Sequence, residues 1–397
     1  PVVTVESCLF EHNHWEGAVT IDESSPLLIG CVFRENNRYS GGGGAVSLNT
    51  GSRARFSDCR FEENTAASPG GAIRCVAGAV PVFDRCHFVA NHCYGTRDDE
   101  GLGGVVCCAS YAAPSFRNCL FADNYATRKG GVVYGVGRAM AGFSNCTFVN
   151  NAGPLGSILA CADDEWGMGG QCDISIENSI LDGGDPIYNE NDSSIQIRYS
   201  NVCGGWAGEG NMCEMPLFVH PDQDFHLRPD SPCVDQGDNS VIEPDATDLE
   251  GNPRILNGTV DMGAYETSVP SKVIYVDDDA TGADDGTSWA DAFVTLQDAL
   301  AVALPGDEIH VAQGRYTPDQ GAGREPGDRF ASFQLINNVN VIGAYAGLHG
   351  GDPEERDTGR YETILSGDLQ GDDAAVTDPA NLRDDPTRQD NSQMILN

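Results

Sequence analysis

The chain has 397 residues and a net charge of −37, with Lys+Arg 23 against Asp+Glu 60. Such acidity argues against nucleic acid or an anionic membrane surface as a partner, since both are polyanions. No apolar run reaches the roughly 18 residues of a membrane span, and all Cys 15 lie before residue 234, so the chain divides by composition.

In chain order, the first signal is a six-residue motif, Cys-x-Phe-x-x-Asn, that returns six times. Its cysteines are Cys8, Cys31, Cys59, Cys86, Cys119 and Cys146, and its phenylalanines are Phe10, Phe33, Phe61, Phe88, Phe121 and Phe148. Its asparagines are Asn13, Asn36, Asn64, Asn91, Asn124 and Asn151. Three places before each cysteine stands another apolar residue: Val5, Leu28, Phe56, Phe83, Phe116 or Phe143. Upstream of four motifs lies a glycine pair ending at Gly44, Gly71, Gly104 or Gly131.

A fixed self-similar period of this length marks a solenoid. β-Branched and aromatic triplets between Gly, Asn and Asp read as strands and turns. The period is too short for a βαβ unit, so each repeat is expected to be one coil of a parallel β-helix, with coils about 4.8 Å apart. Cys and Phe then form inward ladders. Asn forms a corner column, where it tolerates left-handed backbone geometry and its amide bonds to its copies. The glycine pairs suit a second corner of tight passage or positive φ. The repeat fades through Ile176, Ser179 and Leu181, then Ile197, Ser200 and Val202.

The expected domains are repeat coils over 1–213, a C-terminal cap over 214–266, a linker at 267–272, and a second unit over 273–397. A β-helix end exposes unpaired strand edges, so a Pro-, Asp- and Gly-rich stretch after the coils reads as a cap. In the second unit, a strand at 274–276 precedes a helix capped by Ser288 with an apolar face of Trp289, Phe293, Leu296, Leu300 and Leu304. Strands are expected at 308–311, 332–335, 339–342, 363–366 and 394–396. A lone amphipathic helix before short strands is the N-terminal cap and first coils of a second β-helix. The chain opens and closes inside strands, which predicts further coils, or copies of itself meeting end to end in a filament.

Cys161 with Cys172, and Cys203 with Cys213, close short loops and read as disulfides of an oxidising, extracellular compartment. Cys75 and Cys108 share an offset from their glycine pairs and are placed to bridge adjacent coils. The ladder cysteines read as small buried hydrophobes.

The glycine-glycine-aliphatic and Phe-x-x-Asn pairing resembles the repeats of chlamydial polymorphic outer-membrane proteins. The wider pattern resembles bacterial right-handed parallel β-helix proteins of the pectate-lyase-like superfold. That resemblance implies an all-β, right-handed solenoid: the C-terminal part of one β-helix followed by the start of another. It is specific for fold and weak for activity, because the superfold hosts lyases, hydrolases, adhesins and scaffolds.

For catalysis, a lyase of this kind needs carboxylates for calcium and a base, and a hydrolase needs two carboxylates about 5–9.5 Å apart. The best candidate is Arg97 among Asp98, Asp99 and Glu100, with Trp166 as a sugar platform beside Asp163, Asp164 and Glu165. No cofactor is required. The turn holding Asp277, Asp278, Asp279, Asp284 and Asp285 offers carboxylates suited to calcium, though turn chemistry explains it more simply. His12 and His14 form an i,i+2 pair. The expected function is a secreted or cell-surface, structural or adhesin-like rod without catalysis, binding extracellular polysaccharide or a cell surface. The alternative is a polysaccharide lyase or glycoside hydrolase working along the coils.

Overall fold

A computed structural model describes residues 3–95, 97, 100–162, 170–190, 193–268, 272–304, 306–321, 323–336, 339–373 and 386–396. It divides into two compact units, Pro1–Ser268 and Val269–Asn397. The division falls in the stretch assigned as linker, of which 269–271 lie outside the described residues.

The first unit is a stack of coils whose strands pair only in parallel from one coil to the next. One coil shows the plan. Strand Arg55–Ser57 lies in a first face of eight strands, and Arg60–Glu62 in a second face of eight. The short strand Thr65–Ala66 forms a corner sheet of four, and Ile73–Cys75 lies in a third face of seven. The register repeats the motif: Phe33, Phe61, Phe88, Phe121 and Phe148 are successive partners.

The core follows from that register. Phe10, Phe33, Phe61, Phe88, Phe121 and Phe148 stack with centroids 4.7–4.8 Å apart. A second column, Phe56, Phe83, Phe116 and Phe143, stacks at 4.6–4.9 Å. The two columns meet edge to face, an arrangement that adds roughly 0.5–1.5 kcal/mol per pair beyond area burial. Cys31, Cys59, Cys86, Cys119 and Cys146 are fully buried, and their thiols face backbone carbonyls of the preceding coil and of their own. Cys8 departs from the expected buried column. It is exposed, and Phe10 half-buried, because no described coil covers the outer side of that first coil.

The asparagine column is continuous. Nδ2 of Asn36, Asn64, Asn91 and Asn124 donates to Oδ1 of the next Asn at 2.9–3.0 Å. Asn13 joins it at 2.7 Å. Each of those four amides also reaches a Phe carbonyl of the coil before. The expected left-handed backbone, however, belongs to the residue before each Asn: His12, Glu35, Glu63, Ala90, Asp123 and Asn150 have φ of 52–57°. The residue before each motif Cys is left-handed too, from Ser7 through Asp58 and Arg85 to Asn145. Both bends are thus made by the outward-facing neighbour, which leaves Cys and Asn free to point in.

At the glycine corner both expected reasons hold. The first glycine of each pair, as Gly70 at φ +87°, is left-handed. A Cβ on the second would sit 2.1 Å from a carbonyl oxygen in the case of Gly71, and 2.0 Å in that of Gly104.

Residues 214–266 close first on the last coil, where Glu214 exchanges hydrogen bonds with Asn201 at 2.8 and 2.9 Å. Phe218–His220 and Asp224–Leu227 then form an antiparallel hairpin. Beyond the assigned capping role, the segment runs back along the flank of the coils, bonding Asn178, Thr147 and Arg85.

In the second unit, Val273–Val276, Glu308–Ala312 and Asn340–Tyr345 form a parallel sheet. Gly314–Tyr316 pairs in parallel with Thr363–Leu365. The helix is shorter than expected: Leu296–Val302, capped by the Thr295 hydroxyl. Ser288 caps only a turn, bonding Asp291, and Phe293 is held extended by a bridge to Val276. Residues 332–335 and 394–396 supply one isolated bridge, Phe333 to Leu396, instead of two strands.

Candidate functional site

The first face carries a cleft of about 510 Å³ on the flank of the first unit. Its floor is built by the outward positions of successive strands, Arg55, Asp84, Ser115, Arg117, Ser144 and Glu177, with the left-handed Arg85, Asn118 and Asn145 along one edge. Residues 241–247 form its roof. The roof is pinned at both ends: Asn178 Oδ1 accepts from Asp238 N at 2.7 Å, and Arg85 Nη1 donates to Thr247 Oγ1 at 3.4 Å.

Arg85 organises the edge. Nε reaches Asp58 Oδ1 at 2.9 Å, Nη1 reaches Asp84 Oδ2 at 2.6 Å, and Nη2 donates to Ser57 Oγ. Burial pushes Asp58 upward, but hydrogen bonds from Arg85 and Ser57 and the charge of Arg85 outweigh it and hold the carboxyl below its ordinary range. Asn118 Nδ2 donates to Asp84 at 3.1 Å. Arg55 and Arg117 are exposed in the same cleft and form no ion pair among the described residues. With guanidinium, hydroxyl and amide groups on its floor and the carboxylates of Glu243 and Asp245 in its roof, the cleft is suited to hold polar, oxygen-rich chains. Its two floor carboxylates, Asp84 and Glu177, are both tied to arginines.

Behind the roof lies a buried ionic set that sequence reasoning did not single out. Arg254 and Glu266 pair at 3.0 Å with both side chains about 1% exposed. Arg254 Nη2 also donates to the carbonyls of Asp261 and Gly263. Asp235 is nine-tenths buried, and burial and then Asp261 push its carboxyl up to about 6, against an opposing bond from Asn257.

The other expected groups fall in separate places. Arg97 is exposed and faces Glu100 at 3.9 Å. Asp98, Asp99, Asp163, Asp164, Glu165 and Trp166 lie outside the described residues. His12 faces Glu35 at 3.4 Å and Glu11 at 3.9 Å, whereas His14 bridges to Asn37. The metal-capable trio there is therefore Glu11, His12 and Glu35.

The acidic turn splits in two. Carboxylates of Asp277, Asp278 and Asp279 converge within 4.8 Å, a hard-oxygen set of the kind calcium takes. Asp277 already accepts from Asp279 N and Leu348 N, and Asp279 pairs with His349 at 2.6 Å. Asp284 and Asp285 serve the turn instead, accepting from Val294 and Thr287. A second such cluster, Asp368, Asp372 and Asp373, had no spacing signal, because its backbone turn alone brings it together.

The cysteines all carry free thiols. Cys161 and Cys172 are brought together beside Gly135. Both sulfurs lie within 3.7 Å of where a Cβ on Gly135 would stand. Cys75 and Cys108 are buried register partners in adjacent coils. Cys203 and Cys213 are exposed beside the last coil.

Parallel coils, stacked ladders and a flank cleft define the class: a right-handed parallel β-helix. In agreement, residues 2–164 match the family model described as a right handed beta helix region. No curated protein matches the chain. Among solved structures, a mutant of the PL6 family alginate lyase AlyGC is similar at 12% identity and a TM-score of 0.21, over 86% of this chain and 63% of that one. The chain thus spans less than two thirds of that structure's length, and the likeness carries no argument about substrate or activity.

Proposed function

We propose that the chain is a non-catalytic β-helix scaffold displayed outside the cell, structural or adhesive in role. The observation that carries this reading is the way ionisable groups are used on the outer faces. They are dispersed along the coils and tied in pairs, mostly between one coil and the next: Arg34 with Glu11, Arg85 with Asp58, Arg198 with Glu177. Such pairs hold neighbouring coils in register. The close thiols of Cys161 and Cys172 support an oxidising compartment. Antibody labelling of intact cells of the source organism tests the reading. Surface or medium labelling is expected, and labelling only after permeabilisation contradicts it.

A second reading, a carbohydrate-active enzyme working in the flank cleft, is favoured by Arg55 and Arg117, which face that cleft without ion pairs among the described residues. On this reading Arg117→Glu abolishes retention of the protein by immobilised polygalacturonate; on the first reading it does not.

A further inference from the structure

Among the described residues of the repeat coils, Trp15 and Tyr39 are the most exposed large aromatics, at 72% and 67% of full accessibility, and they adjoin each other. Their ring centroids are 6.3 Å apart and the planes are tilted by 55°. They sit on successive coils, next to the bridge from His14 to Asn37. Trp15 also has φ of 81°. Trp15 precedes neither a motif Cys nor a motif Asn, and its φ is the most positive of any described non-glycine residue. Left-handed backbone is disfavoured for a bulky side chain and persists where the surroundings over-determine it, often at functional positions.

The surroundings here do over-determine it. On one side the bridge from His14 fixes the chain. On the other, Gly17 is packed so closely that a Cβ would stand 2.8 Å from the carbonyl oxygen of Gly43. On the polar rim, the Arg38 guanidinium is fixed too. Arg38 donates to Ser40 O at 2.9 Å and Ser47 Oγ at 2.7 Å, and faces Glu16 at 3.5 Å.

We infer that Trp15 and Tyr39 form a stacking platform for the pyranose rings of an uncharged polysaccharide. Two rings with amphipathic faces, beside the fixed Arg38 guanidinium and the exposed Glu16 carboxylate, match a sugar that has an apolar C–H face and hydroxyl edges. The alternatives fit less well. Two residues supply far less than the ~1,000 Å² that a stable protein interface needs. An anionic lipid or a polyuronate would meet Glu16 and a chain of net charge −37. The inference names a ligand class for the displayed surface and rests on that reading.

Affinity electrophoresis of the whole chain in native gels containing soluble β-glucan or mannan tests it, with polygalacturonate as the charged counterpart. Retardation by at least one neutral glycan is expected. Trp15→Ala and Tyr39→Ala should each weaken it at least tenfold, and Tyr39→Phe should leave it intact. Trp15→Gly relieves the left-handed backbone, so it should raise the thermal midpoint while losing binding. That combination separates a ligand role from a packing role. No retardation by either neutral glycan, retardation by polygalacturonate alone, or retardation unchanged in both alanine variants would overturn the inference. Those results would leave cell-surface labelling, and with it the display reading, untouched.

Discussion

Within one coil, Asn91 shows how much a single side chain carries. Its Oδ1 accepts from both the backbone and the amide nitrogen of Asn64, and its Nδ2 reaches Phe61 O and Asn124 Oδ1. Asn91→Ala orphans those buried Asn64 donors and one acceptor, at about 1–3 kcal/mol for each unsatisfied group in the worst case. A loss of roughly 3–5 kcal/mol in denaturant unfolding is expected, against less than about 1 for the half-exposed Asn13→Ala. Equal losses would contradict a ladder that draws its strength from burial. Asp235 makes the second prediction at this scale. Its folded pKa, about 6, lies above the ordinary 3.8, so the folded state binds the proton more tightly than the unfolded one. Its contribution is therefore fully present below pH 4 and is lost as pH rises through 6, by about 3 kcal/mol. Asp235→Asn removes this dependence, so the stability gap between the variant and the parent should widen in the variant's favour between pH 4 and pH 7. Parallel pH profiles would contradict the assignment. The ladder residues were legible because identical side chains recur at one period. Asp235, Arg254 and Glu266 were not, since they are spaced irregularly and meet only through the tertiary path of the roof.

Among the elements, strands were more legible than turns. A triplet centred on Phe reads as a strand wherever it recurs, because the parallel register places every copy against the next. The left-handed bend was placed one residue late, on Asn, since Asn tolerates that geometry best on its own. Here the ladder needs Asn extended and pointing inward, so His12, Glu35, Glu63 or Ala90 takes the bend. The helix was overextended for a related reason. Trp289 and Phe293 share a helical spacing with Leu296, but pairing of Phe293 with Tyr275 and Val276 holds that stretch extended. Of the cleft, Arg55 and Arg117 could be assigned to outward positions from the repeat, whereas its roof could not, having no period. The loop thiols give a prediction of this scale. Mild oxidation of the folded protein should join Cys161 to Cys172, reported by peptide mapping without reductant. Both thiols remaining alkylatable under those conditions would contradict their contact.

For the molecule as a whole, the acidic balance and the ladder core separate two tasks. Cys, Phe and Asn columns inside the coils carry stability, and the outer faces carry cross-coil ion pairs, the roofed cleft and exposed aromatics. On this account the surface is for holding and not for turning over. The most direct measurement is incubation of the chain with polygalacturonate, alginate, β-glucan and mannan, with and without calcium, followed by detection of new reducing ends and unsaturated products. The account predicts none above the level of a heat-denatured control. Sustained product release that is lost in Arg117→Ala would contradict it and place an enzyme in the cleft beneath residues 241–247.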